Sequence, residues 1–285
     1  MYKEDANHNH KQETRNVEPE TYPKIIAHRG ASARAPENTL AAFARAVSDG
    51  AEGIELDVRL SSDRVAVVHH DSSLERTART DSKVSALTAK ELGSMDVGSW
   101  FQHHSPSDWK EEYAIERIPT LASVLQSLEK FNGRIYVELK CREPEVDPLV
   151  SAVCTDIMRS PLRDQIVVKS FRLAFIPLMR RTCPDVRTAA LFAPKIMTIL
   201  RKEKHLVDLA YEFGADELSV HFSLATRKLM KKAEKRGLPV AIWTVDHSQL
   251  LKRAMKLGVR YVITNDPARM IAKRDDFATR LDSAS

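Results

Sequence analysis

Charged side chains alternate with leucine at two places in the chain. Glu55 and Asp57 are separated by one residue, and so are Glu138 and Lys140. Side chains alternate along a β-strand, so each charged pair shares one face if these segments are strands. Carboxylates crowded in a buried site repel one another strongly, and a divalent cation relieves that repulsion. Oxygen donors suit a hard ion such as Mg²⁺ or Ca²⁺, so Glu55, Asp57 and Glu138 are candidate metal ligands.

Two histidines lie at the ends of other predicted strands. His28 precedes Arg29 at the end of the first strand, and His70 follows a short apolar segment, Val65–Val68. Histidine titrates near neutral pH, so the pair could supply a general acid and a general base. Arg29 and Lys140 would add fixed positive charge beside a metal, a combination that fits phosphate oxygens.

The elements that must position these residues form a regular alternation of short apolar runs and longer helical patterns. Near-continuous apolar strands separated by helices indicate a parallel sheet buried on both faces. Eight such units in about 250 residues predict a closed (β/α)₈ TIM barrel, whose chemistry lies at the carboxyl ends of the strands. A doubly wound open sheet is the alternative, but the chain has neither GxGxxG nor GxxxxGK[ST]. The eight predicted strands are Lys24–His28, Gly53–Leu60, Arg134–Lys140, Gln165–Ser170, Arg187–Leu191, Asp216–Val220, Pro239–Val245 and Tyr261–Thr264.

Composition divides the chain into three parts. Residues 1–23 are polar without a hydrophobic period, which predicts a disordered N-terminal arm. Residues 24–272 form the barrel domain, and residues 273–285 are expected to be a C-terminal tail. A polar stretch at about 72–118 is too long for a βα loop, so we expect a small insertion folded over the barrel mouth.

Charge and cysteine content narrow the class of protein. The net charge of +5 is too small to require a nucleic-acid partner, although a positive field would attract an anionic substrate. The chain has three cysteines and no CxxC pair, a pattern that indicates reduced intracellular thiols and not a disulfide framework. The longest apolar stretches fall well short of the roughly 20 residues that span a bilayer, and the N-terminal segment lacks a secretory signal pattern. We therefore expect a cytoplasmic protein with a small-molecule substrate, no nucleic-acid partner and no stable membrane insertion; the oligomeric state stays open.

One long segment resembles a known family. The run HRGASARAPENTLAAFARAVSDGAEGIELDVRLSSDRVAVVHHD, residues 28–71, is similar to the signature of the glycerophosphodiester phosphodiesterases, TIM-barrel enzymes related to phosphatidylinositol-specific phospholipase C. Each piece is weak alone, but their order and spacing are specific, and the resemblance extends from Lys24 to Arg269. The later matching pieces are Ile118-Pro119-Thr120-Leu121, Val137-Glu138-Leu139-Lys140, Ser170-Phe171, Trp243-Thr244 and Asn265-Asp266-Pro267.

The resemblance implies a role for each candidate residue. It implies Mg²⁺ or Ca²⁺ on the three carboxylates, acid–base catalysis by His28 and His70, and phosphate binding by Arg29 and Lys140. The products would be sn-glycerol 3-phosphate and an alcohol. Phe171 and Trp243, at strand ends, are candidates for lining the substrate pocket, with core packing as the alternative.

The sequence departs from the family pattern at two positions. His69-His70 is doubled, and because the pattern places the histidine directly before Asp71, we assign His70 and treat His69 as a neighbour. Lys169 occupies a position where an uncharged residue is expected before Ser170-Phe171, and nothing in the sequence accounts for it.

Two other functions stay open at this point. Lysophospholipase D activity would use the insertion aromatics and the apolar stretch after the fifth strand, residues 191–200, to hold an acyl chain. A non-catalytic module would bind phosphorylated ligands or anionic membranes on the same barrel.

Overall fold

A closed barrel of parallel strands organises the chain. The computed structural model describes residues 22–141, 145–198 and 204–282. In those residues eight strands pair in parallel, and the last returns to pair with the first, so the TIM barrel is confirmed. A ninth strand, β3, pairs antiparallel with the end of β2. The strands are β1 (Lys24–His28), β2 (Gly53–Leu60), β3 (Ala66–Val68), β4 (Arg134–Leu139), β5 (Ile166–Ser170), β6 (Arg187–Phe192), β7 (Glu217–His221), β8 (Val240–Trp243) and β9 (Tyr261–Thr264).

Helices follow most of the barrel strands and cover the outside of the barrel. Threonine side chains cap α1, α5 and α9 at their first turns, which satisfies backbone N–H groups that lack helical partners. The helices are α1 (Leu40–Ser48), α2 (Glu75–Ala78), α3 (Ala89–Leu92), α4 (Phe101–His104), α5 (Leu121–Ser127), α6 (Val146–Arg159), α7 (Phe175–Thr182), α8 (Lys204–Glu212), α9 (Arg227–Lys235), α10 (Ser248–Leu257) and α11 (Pro267–Asp282).

Two apolar layers hold the barrel together. The larger one lies between the strands and the surrounding helices. The smaller one fills the interior of the barrel, where Tyr136 and Tyr261 meet edge to face with ring centroids 5.9 Å apart. The barrel is therefore a packed core. An ion pair between Arg134 and Glu217 lies at the amino-terminal ends of the strands, and the candidate site residues lie at the opposite, carboxyl-terminal rim.

The insertion between β3 and α5 builds two small cores of its own. Leu74, Val84 and Leu92 pack together in one of them. In the other, Phe101 and Tyr113 pack against the barrel's Ala35 and Ala42. Because Phe101 and Tyr113 are fully or almost fully buried, these two aromatic rings serve packing and are not accessible to an acyl chain. Trp100 and Trp109 of the same insertion are only partly buried.

The C-terminal segment differs from the expected tail. Helix α11 continues past residue 273 to Asp282, and the Arg274 side chain donates to Glu52 and to the carbonyl of Pro23. These contacts anchor the segment to the amino-terminal end of the barrel, which the weak apolar period of the segment did not indicate.

Some sequence predictions lie outside the described residues. These are the N-terminal arm up to residue 21, residues 199–200 of the apolar stretch, and the last three residues of the chain. In the part of the chain that the structure describes, no helix has the length and apolar character needed to cross a membrane.

Candidate active site

Strand register brings the predicted metal ligands together at the carboxyl-terminal rim. Glu55 is level with His28 on β1, and Asp57 is level with Glu138 on β4. One oxygen from each of the three carboxylates lies within 4.8 Å of the other two. All three side chains are buried, with Glu55 and Asp57 fully enclosed.

Three cationic side chains balance this acidic cluster. The Lys140 Nζ lies 2.5 Å from Glu138 Oε1 and 3.2 Å from Asp57 Oδ1. The Arg29 Nε lies 3.2 Å from the other oxygen of Asp57. On the next strand, Lys169 is level with Glu138, and its Nζ lies 2.9 Å from Glu55 Oε1 and 3.7 Å from Glu138 Oε2. The cluster of three carboxylates and three cations is formally neutral.

These cations keep the carboxylates ionised despite their burial. Burial raises the pKa of Asp57, but Lys140 and Arg29 outweigh it and hold that pKa well below its ordinary value. Burial also opposes ionisation of Glu55, and the Lys169 ammonium leaves the pKa of Glu55 below its usual range. The cluster therefore presents anionic oxygens at neutral pH.

The donor set fits a hard divalent cation. Glu55 Oε1, Asp57 Oδ1 and Glu138 Oε1 are buried, and the groups that face them are the Lys169 and Lys140 ammonium groups at 2.5 to 3.2 Å. One oxygen of each carboxylate converges on the same point, within 4.8 Å of the other two. Three converging carboxylate oxygens match the oxygen-rich coordination of Mg²⁺ or Ca²⁺.

A strained turn after β1 positions Arg29. Arg29 adopts a left-handed backbone conformation with φ of 56°, and Gly30 follows with φ of 80°. A Cβ on Gly30 would come within 2.7 Å of Ala42, so only glycine fits this turn. The turn aims the Arg29 backbone N–H at Glu55 Oε2, at 3.1 Å. Left-handed backbone at a non-glycine residue is costly and is concentrated at functional sites.

Asn38 fixes Asp57 from the other side. It also has a positive φ, 58°, and its amide donates to Asp57 Oδ2 while its oxygen accepts from the Asp57 backbone N–H. This two-point contact fixes the orientation of the carboxylate, leaving Oδ1 directed towards the cluster.

The amide of Asn265 orients His28. The Nδ1 of His28 lies 2.7 Å from Asn265 Oδ1, and the amide nitrogen of Asn265 donates to Asp246. Because Asn265 presents an acceptor, Nδ1 of His28 is the donor in this pair. The Nε2 of His28 lies 3.9 Å from Glu55 and is the nitrogen left for chemistry.

The doubled histidines have different surroundings. His69 is buried and bridges the Asp71 carbonyl and the Thr77 hydroxyl, at 2.8 and 2.9 Å. His70 is partly exposed, and its Nδ1 lies 2.7 Å from the Asp71 carboxylate. Burial lowers the pKa of His70, and Lys140 and Arg29 add to that effect, whereas Asp57 opposes it. His70 therefore favours its neutral form, with Nε2 free to accept a proton.

Arg76, from the insertion, links both sides of the site. Its Nε lies 2.6 Å from the Asp71 carboxylate that contacts His70. Its two terminal nitrogens bind Glu37 at 2.7 and 3.0 Å, and Glu37 accepts from Arg29 at 2.9 Å. A continuous chain of charged hydrogen bonds thus runs from His70 through Asp71, Arg76 and Glu37 to Arg29.

The predicted aromatic residues stand at the mouth of the site. Phe171 and Trp243 meet edge to face at 5.8 Å, and Phe171 is 46% exposed. His221 packs edge to face on Trp243 at 5.3 Å, and the Lys140 ammonium lies 6.0 Å from the Phe171 ring. The exposure of Phe171 favours pocket lining, whereas Trp243 is partly buried and also packs against the interior cluster of the barrel.

Every predicted site residue therefore reaches one rim, and the structure adds several that the sequence did not assign. Glu37, Asn38 and Asn265 stand in quoted motifs, which is a signal that could have found them. Arg76 lies in the insertion, where no motif in the sequence identifies it as a site residue. The sequence identifies Lys169 only as a departure from the family pattern.

The chain is similar to known proteins over the region that contains these site residues. Residues 28–269 match the model of the family described as the glycerophosphoryl diester phosphodiesterase family. The Bacillus subtilis protein YhdW is 33% identical over 249 residues, covering 85% of this chain and 94% of its own. A glycerophosphodiester phosphodiesterase of Caldanaerobacter subterraneus is 30% identical over 247 residues, covering 87% and 96%. A solved structure of an Oleispira antarctica phosphodiesterase in complex with the product sn-glycerol-3-phosphate has a TM-score of 0.79 at 25% identity, covering 89% of this chain and 97% of that one.

Proposed function

The chain belongs to the glycerophosphoryl diester phosphodiesterase family, and we propose that it hydrolyses glycerophosphodiesters to sn-glycerol 3-phosphate and an alcohol with a divalent cation and two histidines. The activity itself follows from the relatives, which are named glycerophosphodiester phosphodiesterases. The observation that carries the proposal for the chemistry is the convergence of three buried carboxylates with His28 and His70 on one rim. Glycerophosphocholine and glycerophosphoethanolamine are the proposed substrates.

Glu55, Asp57 and Glu138 would hold the cation. Their converging oxygens are all hard donors, and the histidines are engaged elsewhere through Nδ1, so Mg²⁺ or Ca²⁺ fits better than zinc. When bound, the cation would supply positive charge that polarises a phosphoryl oxygen.

Arg29 and Lys140 would bind the phosphate. Both side chains are 16% exposed and lie at the opening of the cluster, so their charges can reach a substrate oxygen without leaving the rim. Fixed positive groups beside a phosphodiester stabilise the charge that develops on its oxygens in the transition state.

We assign His70 as the general base and His28 as the general acid. His70 has a lowered pKa and donates through Nδ1 to Asp71, so its Nε2 carries a free lone pair at neutral pH. It takes the proton of the nucleophile, either water or the glycerol 2-hydroxyl. His28 has its Nε2 beside the Glu55 carboxylate, at 3.9 Å and facing the cluster. It gives a proton to the leaving alkoxide as the P–O bond breaks.

Phe171 and Trp243 would line the pocket for the glycerol or the leaving alcohol. Their edge-to-face packing beside Lys140 places an apolar surface next to the phosphate-binding charges. That arrangement excludes water from one side of the substrate and strengthens the neighbouring electrostatic contacts.

The test is a coupled assay on chelator-stripped protein to which Mg²⁺ or Ca²⁺ is returned. Glycerophosphocholine and glycerophosphoethanolamine should yield glycerol 3-phosphate, measured with glycerol-3-phosphate dehydrogenase. Glu138→Gln should abolish most of this rate, whereas Glu212→Gln, at the exposed end of α8, should not. Phosphorus NMR during turnover would reveal a transient cyclic phosphate if the 2-hydroxyl attacks first.

Other outcomes of the assay would favour the alternatives. Faster choline release from lysophosphatidylcholine than from glycerophosphocholine would make the protein a lysophospholipase D. Saturable binding of a glycerophosphodiester with no product under Mg²⁺ or Ca²⁺ would make it a binding module.

We keep the cytoplasm as the proposed compartment. The chain has three cysteines and no CxxC pair, a content that fits the reducing cytoplasm. Cell fractionation with an antibody against the chain tests this, and recovery in a membrane or secreted fraction would contradict it.

A further inference from the structure

Lys169 is a buried cation that the proposed chemistry does not use. Its side chain is 2% exposed, whereas those of Lys140 and Arg29 are 16% exposed. It extends into the barrel, where its Nζ lies 5.9 Å from the ring centroid of Tyr136, a residue of the packed interior. A lysine enclosed in this way cannot turn to solvent or to a substrate at the mouth, so its charge acts only on the acidic cluster.

Lys169 is also placed to oppose a bound cation. Its Nζ lies 2.9 Å from Glu55 and 3.7 Å from Glu138, two of the three carboxylates that would hold the metal. A buried carboxylate without a counter-charge is very costly, and a divalent ion or a fixed ammonium group can each supply that charge. Since like charges repel strongly in a poorly hydrated site, an ion entering the cluster must work against the ammonium group.

We propose that Lys169 is a built-in counter-cation that holds Glu55 and Glu138 together when no metal is bound and lowers the affinity of the site for its divalent ion. This inference rests on the proposed metal site. It implies that the metal-free protein is folded with its ligands already in place, and that the ion binds reversibly rather than as a permanent structural component.

The charge-removing variants Lys169→Met and Lys169→Gln test the proposal. Methionine keeps a similar length without charge, and glutamine keeps a hydrogen-bond donor for Glu55. Lys232→Met is the matched control. Lys232 pairs with Asp208 between the outer helices α8 and α9, so this substitution removes the same charge far from the cluster.

The readouts are calorimetric titration with Mg²⁺, Ca²⁺ or Mn²⁺ and thermal unfolding with and without the ion. Both Lys169 variants should bind the ion at least tenfold more tightly than wild type, equivalent to about 1.4 kcal/mol. In chelator they should melt below wild type, and saturating ion should raise their melting temperature by more than it raises that of wild type. Lys232→Met should bind the ion as wild type does. A merely structural lysine would not tighten ion binding when removed.

Equal or weaker ion binding by folded Lys169 variants would overturn the inference while leaving the metal-dependent function intact. If the wild-type protein binds no ion and turns over substrate in chelator, the proposed metal-dependent function is wrong. Ion binding by the Lys169 variants would then still support the inference about Lys169. Absence of ion binding by every variant would overturn that inference as well. Variants that fold only with added ion support it. If neither variant folds at all, the melting temperature of the chelator-treated wild-type protein is the deciding measurement. Unfolding of that protein at ordinary temperature would refute a counter-cation role for Lys169. A melting temperature within a few degrees of that of the ion-loaded protein would support the role.

Discussion

The two adjacent histidines allow a sharp test, because His69 is buried between two hydrogen-bond partners and His70 is our proposed general base. His69→Ala should cost stability: it leaves the Asp71 carbonyl and the Thr77 hydroxyl without their imidazole partner, at about 1 kcal/mol each. The buried ring also leaves a cavity, and we take the total as about 3 kcal/mol. For a chain of this size that lowers the melting temperature by about 6–12 °C. Its kcat, measured well below the transition, should stay within about tenfold of wild type.

His70→Ala should show the opposite pattern. The side chain is partly exposed and contacts one carboxylate, so the melting temperature should change by no more than about 3 °C. Removal of an acid–base group should lower kcat by about 10²–10⁴. Differential scanning calorimetry and choline release from glycerophosphocholine measure the two quantities on the same samples.

His69→Gln provides the matched control. A glutamine amide can keep one of the two hydrogen bonds, so its melting temperature should fall between those of wild type and His69→Ala. The reasoning is refuted if His69→Ala is inactive at an unchanged melting temperature while His70→Ala retains its activity.

The remaining predictions concern pH, metal and the insertion. Burial lowers the pKa of His70, and a general base must be neutral to act. We therefore expect kcat/KM to stay constant as the pH is lowered to about 6.5 and to fall only at lower pH, where His70 becomes protonated. A fall in kcat/KM that begins above about pH 6.5 on the acidic side would contradict the assignment of His70. Chelator-treated protein should regain activity with Mg²⁺ or Ca²⁺, and restoration by zinc alone would exclude the all-oxygen site. Glu138→Gln should weaken ion binding at least tenfold with little change in melting temperature, and Glu212→Gln should do neither. Arg76→Met should lower kcat about tenfold by freeing Asp71 and Glu37, whereas Arg79→Met, one residue beyond the same helix and exposed, should match wild type; equal effects of the two would assign Arg76 no positioning role.

Much of the fold was predictable because its signals are local. Apolar runs bounded by helical patterns gave all eight barrel strands to within a few residues, as with Lys24–His28 and Gly53–Leu60. Glycines such as Gly50 and Gly258 marked helix ends, and both have the positive φ that the positions require. The helical end of the chain was missed because α11 is held by contacts with Glu52 and Pro23, which lie at the other end of the sequence.

The site was predictable to the extent that its residues carry a period or a motif. The two-residue spacing of Glu55 and Asp57 was enough to place both on one face of β2, and both do point into the cluster. Arg76 could not be found in this way, since its role depends on how the insertion folds back on Glu37 and Asp71. Periodicity gives the face of a strand, but the contacts of a loop depend on tertiary packing.

Lys169 shows a further limit and what lies behind it. Its charge looks out of place in a buried strand until strand register sets it level with Glu138 and near Glu55. Closing the barrel forces three carboxylates out of water at once, and without counter-charges this would make folding depend on the metal, as it does in small zinc domains. With Arg29, Lys140 and Lys169 in place, the cluster is neutral before any ion arrives. An entering divalent ion then leaves the site with a net charge of about +2, which suits a phosphodiester anion better than a site whose carboxylates had already cancelled the metal. The same lysine that lowers ion affinity therefore makes the loaded site more attractive to its substrate.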